Sequence, residues 1–458
     1  MVRSWLLRVV FLAVSFHFCL FPPITWGQGD PTLAVLGMIP TDRIIDQLAL
    51  SPGTGLAYGI SKIGRLLYVL DLDSSQIRKK VGLPQRPTGL AVNPKNNQAY
   101  VIVRGPISDD SLLVLNAEGE ILSKRLVPKN PQGIAINPDK GLLVISSADE
   151  NKLLLLSTKT LETIKEIPLA FRPKRIALDP GSDRAVVSAK EHWGSIEANL
   201  LLIVDLNSGT LVQEMKFEEG LLGLAAGNDM DRAVAVSREA IHLIDLQSGT
   251  LVFTIRPSIA LSGGTKTVEG GAEGEDYLGV DINPATRMAV VVGAGGFVLL
   301  DLVSFTARDY LLNNDPVMKA VALDPFRNTF LGSYRKGPSL PVLEKGVLEV
   351  QLPNPAPEIV SLTPAEAARG DDSRTITVEG KGFITASEGY FNDRPLATTL
   401  LDNCHLELLI SKELFSRGGL FPLTVFNPGP QGGQSNSQDF AVKNPRPLIT
   451  GLNPATVP

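Results

Sequence analysis

Cysteine and histidine are scarce in this sequence, which has two cysteines and four histidines in 458 residues. No two histidines have the spacing of zinc ligands, and no cysteine lies near a histidine pair. Aromatic residues make up only 6% of the chain. After the first 27 residues no apolar run is long enough to span a bilayer. We therefore predict no metal site, no cofactor and no later transmembrane segment.

The first 27 residues have the pattern of a secretory signal peptide. Arg3 and Arg8 precede the uncharged run VVFLAVSFHFCLF, and PPITWGQGD follows it. A first transmembrane helix is the alternative, but the run is shorter than the roughly 20 residues that a bilayer requires. A lipid anchor on Cys19 is a second alternative, although Cys19 lacks the small residue that should precede it.

Removal of residues 1–27 would leave an acidic chain with one cysteine. It takes two arginines from the 43 basic residues and none of the 48 acidic ones, so the net charge moves from −5 to −7. This balance gives no footprint for nucleic acid, whose binding depends on phosphate neutralisation. An intrachain disulfide is then excluded. Because Cys404 alternates with Leu406 and Leu408, we expect a buried structural thiol.

A short apolar phrase ending in Asx-Pro, or close to it, returns seven times. It begins at Leu48, Leu90, Ile134, Ile176, Leu224, Val280 and Val321, at spacings of 42, 44, 42, 48, 56 and 41 residues. VDLNSGTLVQEM at Val204 and IDLQSGTLVFTI at Ile244 repeat a second motif. Periods near 40 to 50 residues suit units of four short strands. We predict seven such units over residues 31–353, with six or eight as alternatives.

The last unit shows only three clear strands. The segment TLAVLGMI, from Thr32, precedes the first unit and would supply the fourth by pairing with VLEVQL, from Val347. This pairing would close the series of units and leave no open edge.

Two stretches in these repeats, RPTGLAVNPKNNQAYVIV and PQGIAINPDKGLLVISS, resemble YVTN-type and NHL-like propeller repeats. PEIVSLTPAEAARG, TITVEGKGF and FPLTVFNPGPQGGQSNS resemble an IPT/TIG domain over residues 354–443. PRPLITGLNPATVP then resembles the start of a second, truncated IPT/TIG domain at residues 444–458. The resemblance implies an all-β protein: a seven-bladed β-propeller followed, after a linker, by an immunoglobulin-like β-sandwich.

No catalytic constellation is present, and we predict no catalytic residue. GGTKT at Gly263 lacks the glycine that a phosphate-binding loop places before its lysine. The acids of DLDSS and NDMD lack the rest of a calcium loop and suit turns. We expect His242 and His405 to be ordinary solvated or hydrogen-bonded residues.

The loop lengths indicate a binding face. The long connections, at residues 104–111, 190–199, 262–276 and 334–346, all fall between second and third strands or between units, which places them on one face. We predict that ligand-binding residues lie there; the alternatives are solvated turn residues and, for the tryptophan, a loop anchor. The predicted residues are Arg86, Arg104, Asn130, Arg172, Glu191, His192, Trp193, Tyr334 and Arg335.

These observations lead to one expectation and two alternatives. We expect a secreted bacterial protein, periplasmic or at the cell surface, that uses one propeller face to bind a protein, peptide or glycan without catalysis. The sandwich modules would act as spacers. Because similar propellers include lactonases and other hydrolases, an enzyme is one alternative. A purely structural envelope or adhesion protein is the other.

Overall fold

The computed structural model describes residues 34–106, 109–192, 195, 198–227, 231–259, 261, 278–312, 317–336 and 344–446. The regular structure of these residues is β-strand, with one short 3-10 helix at Lys412–Phe415. The predicted all-β class is therefore confirmed. The predicted signal peptide and most of the predicted second IPT/TIG segment lie outside the described residues.

Residues 47–311 form six antiparallel sheets of four strands, each built from consecutive strands. Strand β1 (Val35–Pro40) precedes them. Sheet 1 contains β2 (Gln47–Ser51), β3 (Leu56–Ser61), β4 (Leu66–Asp71) and β5 (Gln76–Gly82); sheet 2 contains β6 (Arg86–Asn93), β7 (Gln98–Arg104), β8 (Ser111–Leu115) and β9 (Ile121–Leu126). Sheet 3 contains β10 (Pro131–Asn137), β11 (Leu142–Ser147), β12 (Lys152–Ser157) and β13 (Thr163–Pro168); sheet 4 contains β14 (Arg172–Asp179), β15 (Arg184–Lys190), β16 (Leu200–Asp205) and β17 (Thr210–Lys216). Sheet 5 contains β18 (Gly223–Ala226), β19 (Arg232–Val236), β20 (Ile241–Asp245) and β21 (Thr250–Ile255); sheet 6 contains β22 (Val280–Asn283), β23 (Met288–Gly293), β24 (Gly296–Asp301) and β25 (Thr306–Leu311).

Sheet 7 joins the two ends of this region. It contains β26 (Val317–Asp324), β27 (Thr329–Lys336) and β28 (Glu344–Gln351), and its fourth strand is β1. β1 pairs antiparallel with β28, with Ile39 opposite Val347. The predicted pairing of the N-terminal segment with the strand at Val347 is thus confirmed.

The seven sheets pack on one another in a closed series. Each apolar cluster of this region combines residues from two consecutive sheets, as Tyr100 of sheet 2 packs with Ile134 of sheet 3. A seventh cluster joins Tyr68 of sheet 1 to Leu331 of sheet 7. The first strands of consecutive sheets also contact each other, and β26 contacts β2. The outermost strands are largely exposed, which accounts for their more polar sequences.

In four of the seven sheets the Asx residue of the recurrent phrase forms the turn that ends the first strand. Side-chain oxygens of Asn93, Asn137, Asn283 and Asp324 accept the backbone N–H two residues onward at 2.9–3.1 Å. All four side chains are buried. The phrase returns because the buried turn needs an Asx acceptor and a proline, which fixes φ at the next position.

The second repeated motif forms the turn between third and fourth strands. In sheets 4 and 5, Oδ1 of Asp205 and of Asp245 accepts the backbone N–H of Ser208 and Ser248, both at 2.7 Å. The two serine hydroxyls lie 2.8 Å from the next threonine hydroxyl. The opening Asp and the Ser-Gly-Thr are therefore the structural parts of one turn.

The glycine of this motif is replaced in sheet 1, by Ser75 with φ of 52°, and in sheet 6. Gly209 and Gly249 have φ values of 79° and 68°, in the left-handed region that glycine adopts without strain. In sheet 6 the same position is Phe305, with φ of 58°. Its ring lies 6.2 Å from that of Phe253, so an aromatic contact accompanies a backbone conformation that bulky residues rarely adopt.

Antiparallel strands divide the connections between two ends of the sheets. Turns between first and second and between third and fourth strands share one end, which we call the short-turn end. Loops between second and third strands and the connections from sheet to sheet share the other, which we call the long-loop face. The four long connections of the sequence all belong to the long-loop face.

The remaining strands form two sheets packed face to face. The first contains β29 (Glu358–Thr363), β31 (Arg374–Lys381), β34 (Ala397–Asp402) and β35 (His405–Ile410). The second contains β30 (Glu366–Ala368), β32 (Glu388–Phe391), β33 (Arg394–Pro395), β36 (Gly419–Asn427), β37 (Gly433–Gln434) and β38 (Gln438–Lys443). One apolar cluster, which includes Leu408 of the first sheet and Phe440 of the second, forms their common core.

This C-terminal unit is fixed to the short-turn end of sheet 7. Oδ1 of Asn354 accepts bonds from Asn328 and Gln351 of the sheet 7 side, each at 3.0 Å. The Nδ2 and backbone N–H of Asn354 donate to the carbonyls of Pro428 and Pro430 at 3.0 and 2.7 Å. Asn354 is 3% exposed. The segment that the sequence presents as a linker is therefore a buried junction.

The prediction of a buried Cys404 is wrong. Cys404 is exposed because it lies in the turn between β34 and β35, whereas Leu406 and Leu408 lie within β35 and are buried. Desolvation and the nearby Asp402 raise the pKa of the Cys404 thiol, which favours the unreactive protonated form.

Candidate binding face

Asp149 joins two of the predicted residues on the long-loop face. Its Oδ1 accepts bonds from Nδ2 of Asn130 at 2.8 Å and from the Arg172 guanidinium at 2.6 Å. The backbone N–H of Asn130 donates to Asp110 at 2.7 Å. Asn130 and Arg172 are thus held in an internal network that links sheets 2, 3 and 4.

Arg86 and Arg104 lie directly opposite each other at the start of β6 and the end of β7. Both are exposed. Among the described residues, no carboxylate lies within 4.0 Å of either guanidinium. The structure thus brings these two predicted residues together as an unneutralised pair of positive charges.

Glu191 and His192 lie in the described part of the loop between β15 and β16. Glu191 forms an ion pair with Lys216 at 2.9 Å, and this contact holds the pKa of the carboxyl below its usual range. The backbone N–H of His192 donates to Ser195 at 3.1 Å. Trp193 lies outside the described residues.

Tyr334 and Arg335 lie near the end of β27 rather than in a loop, because this strand continues to Lys336. The Tyr334 ring is 4% exposed and packs in the apolar cluster of sheets 6 and 7 with Phe330 and Leu348. Burial raises the pKa of its hydroxyl. Arg335 is partly exposed. The tyrosine therefore contributes to the core at the place where the sequence suggests a surface residue.

Sequence reasoning missed Asp110 and Asp149. Asp110 lies in a long connection, but its 5% exposure and its bonds to backbone N–H groups of Gly105 and Asn130 have no sequence signature. Asp149 lies in a short turn, SADENK, which is inconspicuous beside the insertions. Asp149 can be identified only when the equivalent turns of different sheets are compared.

A cleft of about 480 Å³ lies at the opposite end, where sheets 1 and 7 meet the C-terminal unit. Its wall includes Asp73, Arg327, Glu349 and Thr385. The Arg327 guanidinium bonds to Asp73 and lies 4.0 Å from Glu349. Burial raises the pKa of Glu349 and that of Asp324 beneath Arg327. The charges of this cleft are engaged in holding the sheets together.

His242 and His405 are both hydrogen-bonded, as expected. Nδ1 of His242 lies 3.1 Å from the Thr254 hydroxyl, and its ring lies 4.7 Å from that of Phe217. Burial lowers the pKa of His242 to about 4. His405 bonds to Asp402 at 2.9 Å.

Within the described residues, no three His, Cys, Asp or Glu side chains converge as metal ligands would. Nor does that part of the chain contain a helix long and apolar enough to cross a membrane. Comparison of the sequence with protein-family models and with curated proteins finds no match.

Proposed function

We propose that this chain is an exported binding protein: a seven-bladed β-propeller whose long-loop face recognises a protein, peptide or glycan without catalysis. The C-terminal unit is an immunoglobulin-like, IPT/TIG-type module that holds the propeller away from its point of attachment. The proposed location is the periplasm or the cell surface of a bacterium, and it rests on residues 1–27 of the sequence.

The position of the C-terminal unit carries this proposal. The carbonyls of Pro325 and Phe326, in the first turn of sheet 7, accept bonds from Asn403 at 2.9 Å and from the Thr385 backbone at 2.8 Å. These contacts occupy the short-turn end of sheet 7. The long-loop face, where the long connections gather, is thereby left open to a partner.

The proposed architecture has independent support. Seven four-stranded sheets pack in a closed series, as propeller blades do, and a strand from the N-terminus completes the last sheet. Two antiparallel sheets that share an apolar core are the arrangement of immunoglobulin-like modules.

Tryptophan fluorescence tests the proposed face. In the chain that starts at Gln28, Trp193 is the only tryptophan, and it lies in the connection between β15 and β16. We expect a saturable change on titration with a panel of acidic and neutral peptides and oligosaccharides, and its loss when residues 190–199 are shortened. Trp193 that is readily quenched by iodide but silent to every ligand would oppose the proposal.

A further inference from the structure

Two junctions between sheets are equivalent in their backbone bonds. The backbone N–H of Leu83 donates to Arg65 at 2.8 Å where sheet 1 leads to sheet 2, and that of Leu169 donates to Asn151 at 2.7 Å where sheet 3 leads to sheet 4. Arg65 and Asn151 also share a positive φ, of 50° and 47°. The two turns can therefore be compared residue by residue.

Arg86 and Arg172 are equivalent in this comparison, since each lies three residues after the bonded leucine. Ile63 and Asp149 are equivalent too, because each lies two residues before the residue with positive φ. At the junction of sheets 3 and 4, Asp149 neutralises Arg172 at 2.6 Å. At the junction of sheets 1 and 2 the acid is replaced by Ile63, which is 90% exposed.

In each junction the residue opposite the arginine on the neighbouring strand adds a second positive charge, which increases the need for a carboxylate. Arg172 lies opposite Lys190, and Arg86 lies opposite Arg104, so both junctions place two like charges across a strand pair. Like charges directly opposite each other destabilise a sheet. Only the junction of sheets 3 and 4 offsets this cost with a carboxylate from the chain itself, among the residues that the structure describes.

A buried polar group beside the two arginines also indicates a ligand at this place. Oε1 of Gln85 is buried and has no hydrogen-bond partner among the described residues. The Gln85 side chain lies against Gly105, the residue after Arg104. Because Gln85 as a whole is only partly buried, a small rotation of its side chain on binding would bring this acceptor to a peptide N–H of a ligand at the two arginines.

We propose that Ile63, Gln85, Arg86 and Arg104 form a binding site for an acidic side chain of a partner polypeptide. The carboxylate takes the role at Arg86 that Asp149 has at Arg172, and Arg104 provides the second guanidinium. A peptide N–H bonds to Gln85, and an apolar residue beside the acid packs on Ile63. The proposal rests on the proposed binding face and names its ligand class.

The described surroundings favour a polypeptide over an acidic sugar. Sugar rings commonly bind with their C–H faces on an exposed aromatic ring. The exposed aromatic side chains among the described residues are Phe253 and Phe426, which lie in other sheets. Two planar guanidiniums, one acceptor and one exposed branched aliphatic side chain match an acidic residue with its backbone N–H and an apolar neighbour.

Fluorescence anisotropy with the full chain tests this site. The probes are a fluorescein-labelled hexapeptide of alternating Leu and Glu, its Leu and Gln counterpart, both with amidated C-termini, and labelled oligogalacturonate. We expect binding of the Glu peptide that weakens with salt, and no binding of the Gln peptide. R86Q should weaken binding at least about tenfold, as expected for loss of a charge-assisted contact.

Ile63 provides the sharpest pair of variants. I63D supplies the internal acid and should weaken binding at least about tenfold, whereas the uncharged I63N should have a clearly smaller effect. K124Q, which removes a positive charge from the outer strand of the same sheet, is the control and should leave the affinity within about twofold. Unchanged thermal unfolding midpoints would show that the variants are folded.

Several results would overturn the proposal: no binding of the Glu peptide, equal binding of the Gln peptide, equal effects of I63D and I63N, or binding of oligogalacturonate alone. If another ligand of the panel binds and the shortened 190–199 loop abolishes it while R86Q does not, the proposed function stands and this site fails. If no ligand of the panel bound the parent or any variant, both the proposed function and this site would be refuted.

Discussion

The two ends of the seven sheets follow different rules. At the short-turn end, one Asx turn and one Asp-Ser turn recur from sheet to sheet with nearly constant hydrogen bonds. At the long-loop face, equivalent positions carry different residues, as Asp149 and Ile63 show. The short-turn end also holds the C-terminal unit. Repetition therefore follows structural demand, and variation is concentrated where the backbone bonds leave the side chain free.

The substitution N354A, at the short-turn end, should have the largest effect on stability. Removal of the amide leaves the partners of a 3%-exposed junction residue unsatisfied, because Asn328, Gln351 and Pro428 all bond to it. We expect the free energy of unfolding to fall by about 3 kcal/mol, measured by chemical denaturation. Proteolysis between residues 352 and 358 should accelerate.

Asn96 is exposed, so N96A is the control for N354A and should change the free energy of unfolding little. An N354A variant as stable and as protease-resistant as the parent would show that the C-terminal unit is held by other contacts, and the open position of the long-loop face would lose its support.

Matched asparagine substitutions compare the two ends directly. Asn137, 3% exposed, accepts two backbone bonds at 3.1 Å at the short-turn end. Asn199, at the long-loop face, donates one long bond of 3.4 Å. We expect N137A to cost about 2 kcal/mol and N199A less than about 1 kcal/mol in denaturant titrations. Equal losses would contradict a division of structural demand between the ends.

The turn of sheet 6 that carries Phe305 should tolerate glycine at this position. F305G removes the contact with Phe253 but relieves a left-handed conformation that costs a bulky residue about 1–2 kcal/mol. We expect a change in stability below about 1.5 kcal/mol. F330A, in a fully buried position, should cost about 3–5 kcal/mol. A loss of similar size in F305G would show that the ring contact outweighs the strain.

The smallest predicted effects are changes in the free energy of unfolding with pH, and these changes have opposite signs at the two ends. Burial raises the pKa of Glu349 near the short-turn end, so the parent gains stability relative to E349Q as the pH falls from 7 towards 4. Lys152 holds the pKa of Glu150 below its usual range at the long-loop face. The parent should therefore lose stability relative to E150Q as the pH falls below about 5. Chemical denaturation across this pH range measures both differences. If the parent gained stability, or lost it, relative to both E349Q and E150Q as the pH fell, the opposite pKa shifts of Glu349 and Glu150 would be refuted.

The sequence predicts the repeated part of the fold well and the junctions poorly. Regular spacing of Asx-Pro phrases predicts four-stranded sheets because each phrase performs a local structural task. The pairing of β1 with β28 is predictable because the last unit lacks a strand. Cys404 is misplaced because apolar alternation does not reveal that β35 begins one residue later.

The candidate site could be predicted only in part. Loop lengths indicate the face, and the RP motifs indicate Arg86 and Arg172. Which arginine is neutralised depends on a contact between sheets, from Asp149 to Arg172, and a single-sheet pattern contains no such information. The buried role of Asn354 also arises from contacts made by residues on both sides of it.

The strand pairing within sheet 7 has a consequence for how the chain folds. β1 must wait for β28, whose residues lie some 300 positions later, so this pairing, which has the longest sequence separation among the described strands, forms only after the whole repeat region has been made. Closing so long a loop is entropically costly, which makes it a slow step and leaves β28 with an unpaired edge until then. A circular permutant that places β1 directly after β28 would convert this pairing into a local one, and should refold faster with the same final sheet order.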